Sequence, residues 1–200
     1  MAPSWLEKFI VRVDATPEVS REPVLTLQYS TEADHERTVS VVGTPAPAYV
    51  IKRKAKLGGV YGDECQVFTT VDGGRQVANI DFHTFPPRIE IDFIQDGRKI
   101  KIKTYKSIRE YEASSLLGLL HWKDTGMVPY GKASWELRSD SDLVLQVSVD
   151  DTQSNGIINL FKDKLNEQLL EELVVVGISQ IEEYKRMIRL GKTSAATLVL

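Results

Sequence analysis

The segment Leu169–Leu190, LLEELVVVGISQIEEYKRMIRL, constrains this chain more than any other. Its flanks carry a helical period, and around Leu173–Ile178 the apolar residues take every side. A helix without a polar face is buried all round. This one is too short to span a bilayer, which takes about 20 apolar residues, so the rest of the chain must enclose it. Asn166 is a competent N-cap with Glu167 in the first turn. Lys185, Arg186 and Arg189 complement the negative end of the dipole, and Gly191 is placed to stop the helix, giving a span of about 166–190. The competing reading is a buried strand over Leu173–Ser179, since Val174-Val175-Val176 has high β propensity. The capping signals and the helical flanks favour the helix.

The enclosing material reads as strands. Val24–Ser30, Arg37–Val42, Ala48–Lys54, Cys65–Val71, Gln76–Phe82, Arg88–Ile94, Arg98–Tyr105, Leu117–Lys123, Ala133–Arg138, Asp142–Val149 and Gly156–Phe161 alternate or are rich in β-branched and aromatic residues. Tyr111–Ser115 reads as one helical turn. The expected fold is mainly β: a closed antiparallel barrel of about 11–12 strands around a hydrophobic C-terminal helix. Residues 1–22 form an N-terminal extension in which Trp5, Leu6, Phe9, Ile10 and Val13 share a face; a short helix or strand closing the domain fits its mixed charge better than a membrane anchor. The barrel takes residues 23–191, and 192–200 form a tail. At Asp96-Gly97 a two-residue turn pairs Phe93 with Ile100 and Ile91 with Ile102 on one face, and Asp92 with Lys101 and Glu90 with Lys103 on the other.

Three stretches, "VLTLQYS", "HWKDTGMVPYGKASWEL" and the apolar helix running into "EEYKRMIR", resemble a fungal tubby-like family of unknown function. That family lies within the superfamily of tubby C-terminal domains, phospholipid scramblases and LURP-one-related proteins. The resemblance covers about residues 24–190. It implies a barrel around a hydrophobic helix, with phosphoinositide binding through basic residues at the barrel surface. Scramblase relatives are linked with calcium, but their acidic segment has no counterpart here residue by residue.

Candidate chemistry is sparse. The net charge of −3 argues against a general nucleic-acid binder. One cysteine, Cys65, excludes an intrachain disulfide and a thiolate-rich metal site; it reads as a small core residue near Phe82, with His83 the nearest candidate base. His35, His83 and His121 lack metal-ligand spacing, and Gly191-Lys192-Thr193 fails as a P-loop because Arg186 stands where a glycine is needed. Asp140, Asp142, Asp150 and Asp151 read as turn carboxylates rather than a calcium loop. No catalytic residue, metal ligand or cofactor is assigned, and the expectation is a non-enzymatic protein. Lys52, Arg53, Lys54 and Lys56 have no expected acidic partners and lead into Leu57-Gly58-Gly59, an arrangement suited to a phosphorylated headgroup. The expected partners are anionic phospholipids at this patch. A protein-interaction or structural module without lipid affinity is the alternative. The absence of a leader-like N-terminus and of an apolar span gives a cytoplasmic expectation, peripheral at a membrane.

Overall fold

The computed structural model describes residues 21–33, 35–55, 63–104, 109–114, 117–128, 131–140 and 142–197. Twelve strands follow one another as β1 (Leu25–Ala33), β2 (Glu36–Val41), β3 (Pro47–Ala55), β4 (Asp63–Thr69), β5 (Gln76–His83), β6 (Arg88–Phe93), β7 (Lys99–Lys103), β8 (Arg109–Glu112), β9 (Leu119–Met127), β10 (Ala133–Ser139), β11 (Asp142–Val149) and β12 (Asn155–Leu160). Helix α1 (Glu167–Thr197) closes the described chain. The strands form one antiparallel sheet in the order β7-β6-β5-β4-β3-β2-β1-β12-β11-β10-β9-β8. Neighbours in sequence are therefore neighbours in space, and pairing of β1 with β12 joins the two halves. β7 and β8 face each other across the remaining junction, in contact but without a ladder among the described residues. The barrel is closed except for that seam.

Alternation explains why the sheet curls around a filled interior. Asp63, Cys65, Val67 and Thr69 of β4 are buried while the residues between them are partly exposed, and β12 buries Gly156, Ile158 and Leu160 in the same way. Register shifts in the β1–β2, β4–β5, β9–β10 and β10–β11 pairs add local twist where a barrel needs it. The helix occupies the lumen. Every residue from Glu172 to Arg186 is buried, and the Tyr184 ring stands edge-on to Trp135 with centroids 5.2 Å apart. Gly156 marks the tightest approach. A Cβ there would lie 2.8 Å from the Ser148 carbonyl oxygen and 3.0 Å from Ile181 Cδ1.

Several expectations need correction. Of the expected helical turn at Tyr111–Ser115, Tyr111 and Glu112 instead end β8, where Tyr111 is buried, and Ser115 lies outside the described residues. The β6–β7 hairpin has a four-residue loop, with the Phe93 N–H donating to the Arg98 carbonyl and Gly97 at φ +67. Ile91 consequently pairs with Ile100, Glu90 with Lys101 and Asp92 with Lys99, a shift of two places from the expected register. Two places preserve the faces, so the apolar and charged sides were assigned correctly. The helix passes Gly191 and continues to Thr197. One interior glycine costs about 1 kcal/mol, too little by itself to stop a helix. The boundary expected at 192 therefore falls inside α1. At the other end the cap is as expected: Asn166 Oδ1 accepts the Leu169 N–H at 2.8 Å.

Candidate functional site

The helix enters at the mouth bearing the β6–β7 and β8–β9 turns and runs toward the mouth bearing the β1–β2, β3–β4, β5–β6 and β11–β12 connections. At this second mouth the inward-facing positions change character. Leu27 and Tyr29 give way to Thr31 on β1, Val39 to Arg37 on β2, Ile51 to Arg53 on β3, and Cys65 to Asp63 on β4. The period of two continues unbroken. Each strand thus ends by turning a polar or charged side chain into the lumen.

The buried part of α1 meets this ring with charges of its own. Glu182 Oε1 accepts the Tyr29 hydroxyl and, at 2.9 Å, Arg37 Nε; Glu182 and Arg37 are both almost fully buried. Lys185 Nζ donates to Thr31 Oγ1 at 2.6 Å and to the Tyr29 hydroxyl at 3.2 Å. Asp63 receives Arg53 through Nε at 3.2 Å and Nη2 at 3.0 Å, and Arg189 Nη2 at 2.7 Å. Arg186 pairs with Glu183 at 3.1 Å and reaches Thr84 Oγ1 at 2.7 Å. A helix that read as apolar on all sides is therefore buried on all sides but charged toward one end.

Between these groups lies an open cavity of about 440 Å³ lined by Thr31, His35, Arg37, Arg53, Thr152, Gln153, Ser154, Lys185, Ile188 and Arg189. Among the described residues four cations line it and no carboxylate does, since Glu182 and Asp63 sit behind them. Burial, and then the positive charges of Arg37 and Arg189 against the pull of Glu182, lower the Lys185 ammonium to about 8. Burial, followed by the adjacent Glu182 charge, raises the Tyr29 phenol far above its ordinary value. The site therefore offers cationic donors at neutral pH, with the Tyr29 hydroxyl held behind them on Glu182. Guanidinium forks and an ammonium around a polar cavity suit a phosphorylated anion.

The sequence-level basic patch divides across two faces. Lys52 and Lys54 point outward and are exposed, with Lys52 Nζ 5.3 Å over the Phe68 ring. Arg53 points inward, is paired with Asp63 and lines the cavity, so the expectation that it has no acidic partner is corrected. Lys56 lies outside the described residues. Cys65 is fully buried, which pushes its thiol well up, and His83 is bound at 3.1 Å to Glu90 instead. Asp150 caps its own turn by accepting the Ser154 N–H and the Thr152 hydroxyl, Asp151 accepts the Lys132 N–H, and Asp142 pairs with Lys162. Arg37, Lys185 and Arg189 were missed as site residues. Inward parity at strand ends was the available signal for Arg37, and the two helical residues had been assigned to the dipole.

The opposite mouth is held differently. Glu172, fully buried, pairs with Arg98 at 2.7 Å and accepts the Ser114 N–H and hydroxyl. Arg98 follows β6 and Ser114 follows β8, so one helical carboxylate holds both sides of the unpaired seam. Among the described residues no helix is long and apolar enough to cross a membrane. Comparisons of the chain with protein-family models, with curated proteins and with solved structures find no match.

Proposed function

We propose that this chain is a non-enzymatic, tubby-like barrel of the cytoplasm, peripheral at a membrane, which binds the anionic headgroup of a phosphoinositide in the basic cavity. The carrying observation is the convergence of Arg37, Arg53, Lys185 and Arg189 on one cavity whose described lining holds no carboxylate. Its volume of about 440 Å³ lies within the common range for small-ligand sites, roughly 300–1,000 Å³. A multivalent phosphate would offset the repulsion that Arg37 and Arg189 add to the burial of Lys185. The resemblance of the sequence to tubby-like domains supports the same ligand class, and the convergence of cations at the mouth favours that location over the outer patch.

Flotation with vesicles containing phosphatidylinositol bisphosphate, at two salt concentrations, tests this. Binding should fall steeply with salt, because exposed charges are screened within about 8 Å at physiological ionic strength. Lys185→Met with Arg189→Gln should abolish it, whereas Lys52→Ser with Lys54→Ser should leave most of it. The reverse pattern would return the site to the outer face. No binding by the wild-type protein at low salt would favour a protein-interaction module.

A further inference from the structure

Around the basic mouth stand apolar side chains that the cavity does not use. Phe85, on the turn between β5 and β6, is 88% exposed and the most exposed large apolar residue among those described. Val128 lies on the turn after β9, and Met187 and Leu190 on the part of α1 that emerges from the lumen; all three are exposed. The hydrogen bond from Arg186 to Thr84 sets the Phe85 turn beside the helical turn of Met187. Tyr184 ties the β9–β10 turn to the same stretch of helix through the Gly131 carbonyl at 2.8 Å.

The Phe85 turn is also inexpensive to desolvate. Pro86 and Pro87 have no N–H to leave unpaired. Their carbonyls are already engaged, Pro86 by Arg88 Nη1 at 3.3 Å and Pro87 by the Thr104 N–H at 3.2 Å. Exposed apolar residues also occur at the opposite mouth, among them Val71 and Ile94, but there the neighbouring cavity is lined by Asp96, Glu167 and Glu171. An anionic surface is repelled by that cavity and attracted by the four cations here, Asp150 and Asp151 of the β11–β12 turn being opposing charges on this rim.

We propose that the basic mouth is a membrane-docking face, in which Phe85 enters the acyl boundary of an anionic bilayer, with Val128, Met187 and Leu190 elsewhere on the same rim, while the cavity takes a headgroup. The proposal rests on the headgroup reading of the cavity and adds to it an orientation: the barrel stands mouth-down, with α1 pointing into the membrane. Charge complementarity selects a bilayer rather than a neutral protein groove.

Two measurements separate the insertion from the headgroup site. Phe85→Cys carries a nitrobenzoxadiazole label while Cys65, fully buried, stays unlabelled. Its emission should shift to the blue on phosphatidylcholine vesicles containing phosphatidylinositol bisphosphate and stay unchanged on phosphatidylcholine alone. Phe85→Asp should lose about tenfold in vesicle affinity while binding soluble inositol trisphosphate as the wild type does. Vesicle binding without an emission shift, or Phe85→Asp equal to wild type on vesicles, would overturn the insertion and leave the rim to a protein partner. Trisphosphate binding without vesicle binding would overturn the docking face while keeping the cavity. Loss of both in the wild-type protein would overturn both readings.

Discussion

Glu182 is the residue on which the interior of the basic mouth depends, since one carboxylate oxygen serves both the Tyr29 hydroxyl and Arg37. Glu182→Leu leaves Arg37 buried without the carboxylate it pairs with, a loss of about 3–5 kcal/mol. Urea unfolding should register it, and Arg37→Met added to Glu182→Leu should recover much of the loss, because an apolar pair needs no compensation. Lys185 makes a prediction of opposite sense. Its folded value of about 8 lies below the ordinary 10.5, so between those values the unfolded chain holds more protons than the folded one. The Lys185 contribution to stability therefore rises with pH through that window. Subtracting the stability curve of Lys185→Met from that of wild type should give a difference that rises from pH 8 to pH 10 and is flat below pH 7; a flat difference throughout would show Lys185 to be unperturbed. Parity made part of this site readable beforehand. Ile51 and Arg53 share a face that Lys52 and Lys54 do not, so a run of cations along one strand was never one patch. The acidic partner of Arg53 was not readable, because Asp63 reaches it through strand pairing across 10 positions and also takes Arg189 from 126 positions away.

At the scale of elements, α1 behaves as its apolar run required and its charged residues did not announce. Val175 is fully buried, and Val175→Asp should place an unpaired charge in the lumen at a cost of several kcal/mol, comparable with a whole domain's stability of roughly 5–15 kcal/mol. A soluble variant with unchanged melting would refute the enclosed helix. The β6–β7 hairpin offers a finer test. Asp92 and Lys99 lie 3.0 Å apart across the pair, so exchanging them should be nearly neutral, while Asp92→Lys alone should cost about 0.2–1 kcal/mol. Exchanging Asp92 with Lys101 should fare worse than exchanging it with Lys99. Which face each residue takes was legible from alternation, whereas the register depended on loop length, and Asp96-Gly97 suits both the two-residue and the longer loop. β8 was missed for a related reason: four residues, Arg-Glu-Tyr-Glu, carry one buried position and therefore no period.

For the whole molecule, the legible quantity was the balance between one lumen-filling helix and enough strand to surround it, and that balance selects a barrel among mainly β folds. Strand order could be read because consecutive strands pair; the joining of β1 to β12 and the open junction of β7 with β8 could not, since they rest on contacts between the chain's distant parts. Hydrogen exchange should resolve this geometry directly. Amides of β7 and β8 that face the seam lack ladder partners among the described residues and should exchange fastest among the strands, with β1 and β12 among the slowest. The seam also bears on how such an object assembles. A finished ring would require α1 to be threaded, dragging Glu182, Lys185 and Arg186 through an apolar bore. A sheet with a free margin on either side can instead lay itself around a helix already docked on β11 and β12, bringing those charges to their partners from the side. On that route the approach of β7 to β8 would come last, with Glu172 taking hold of Arg98 and Ser114 like a clasp.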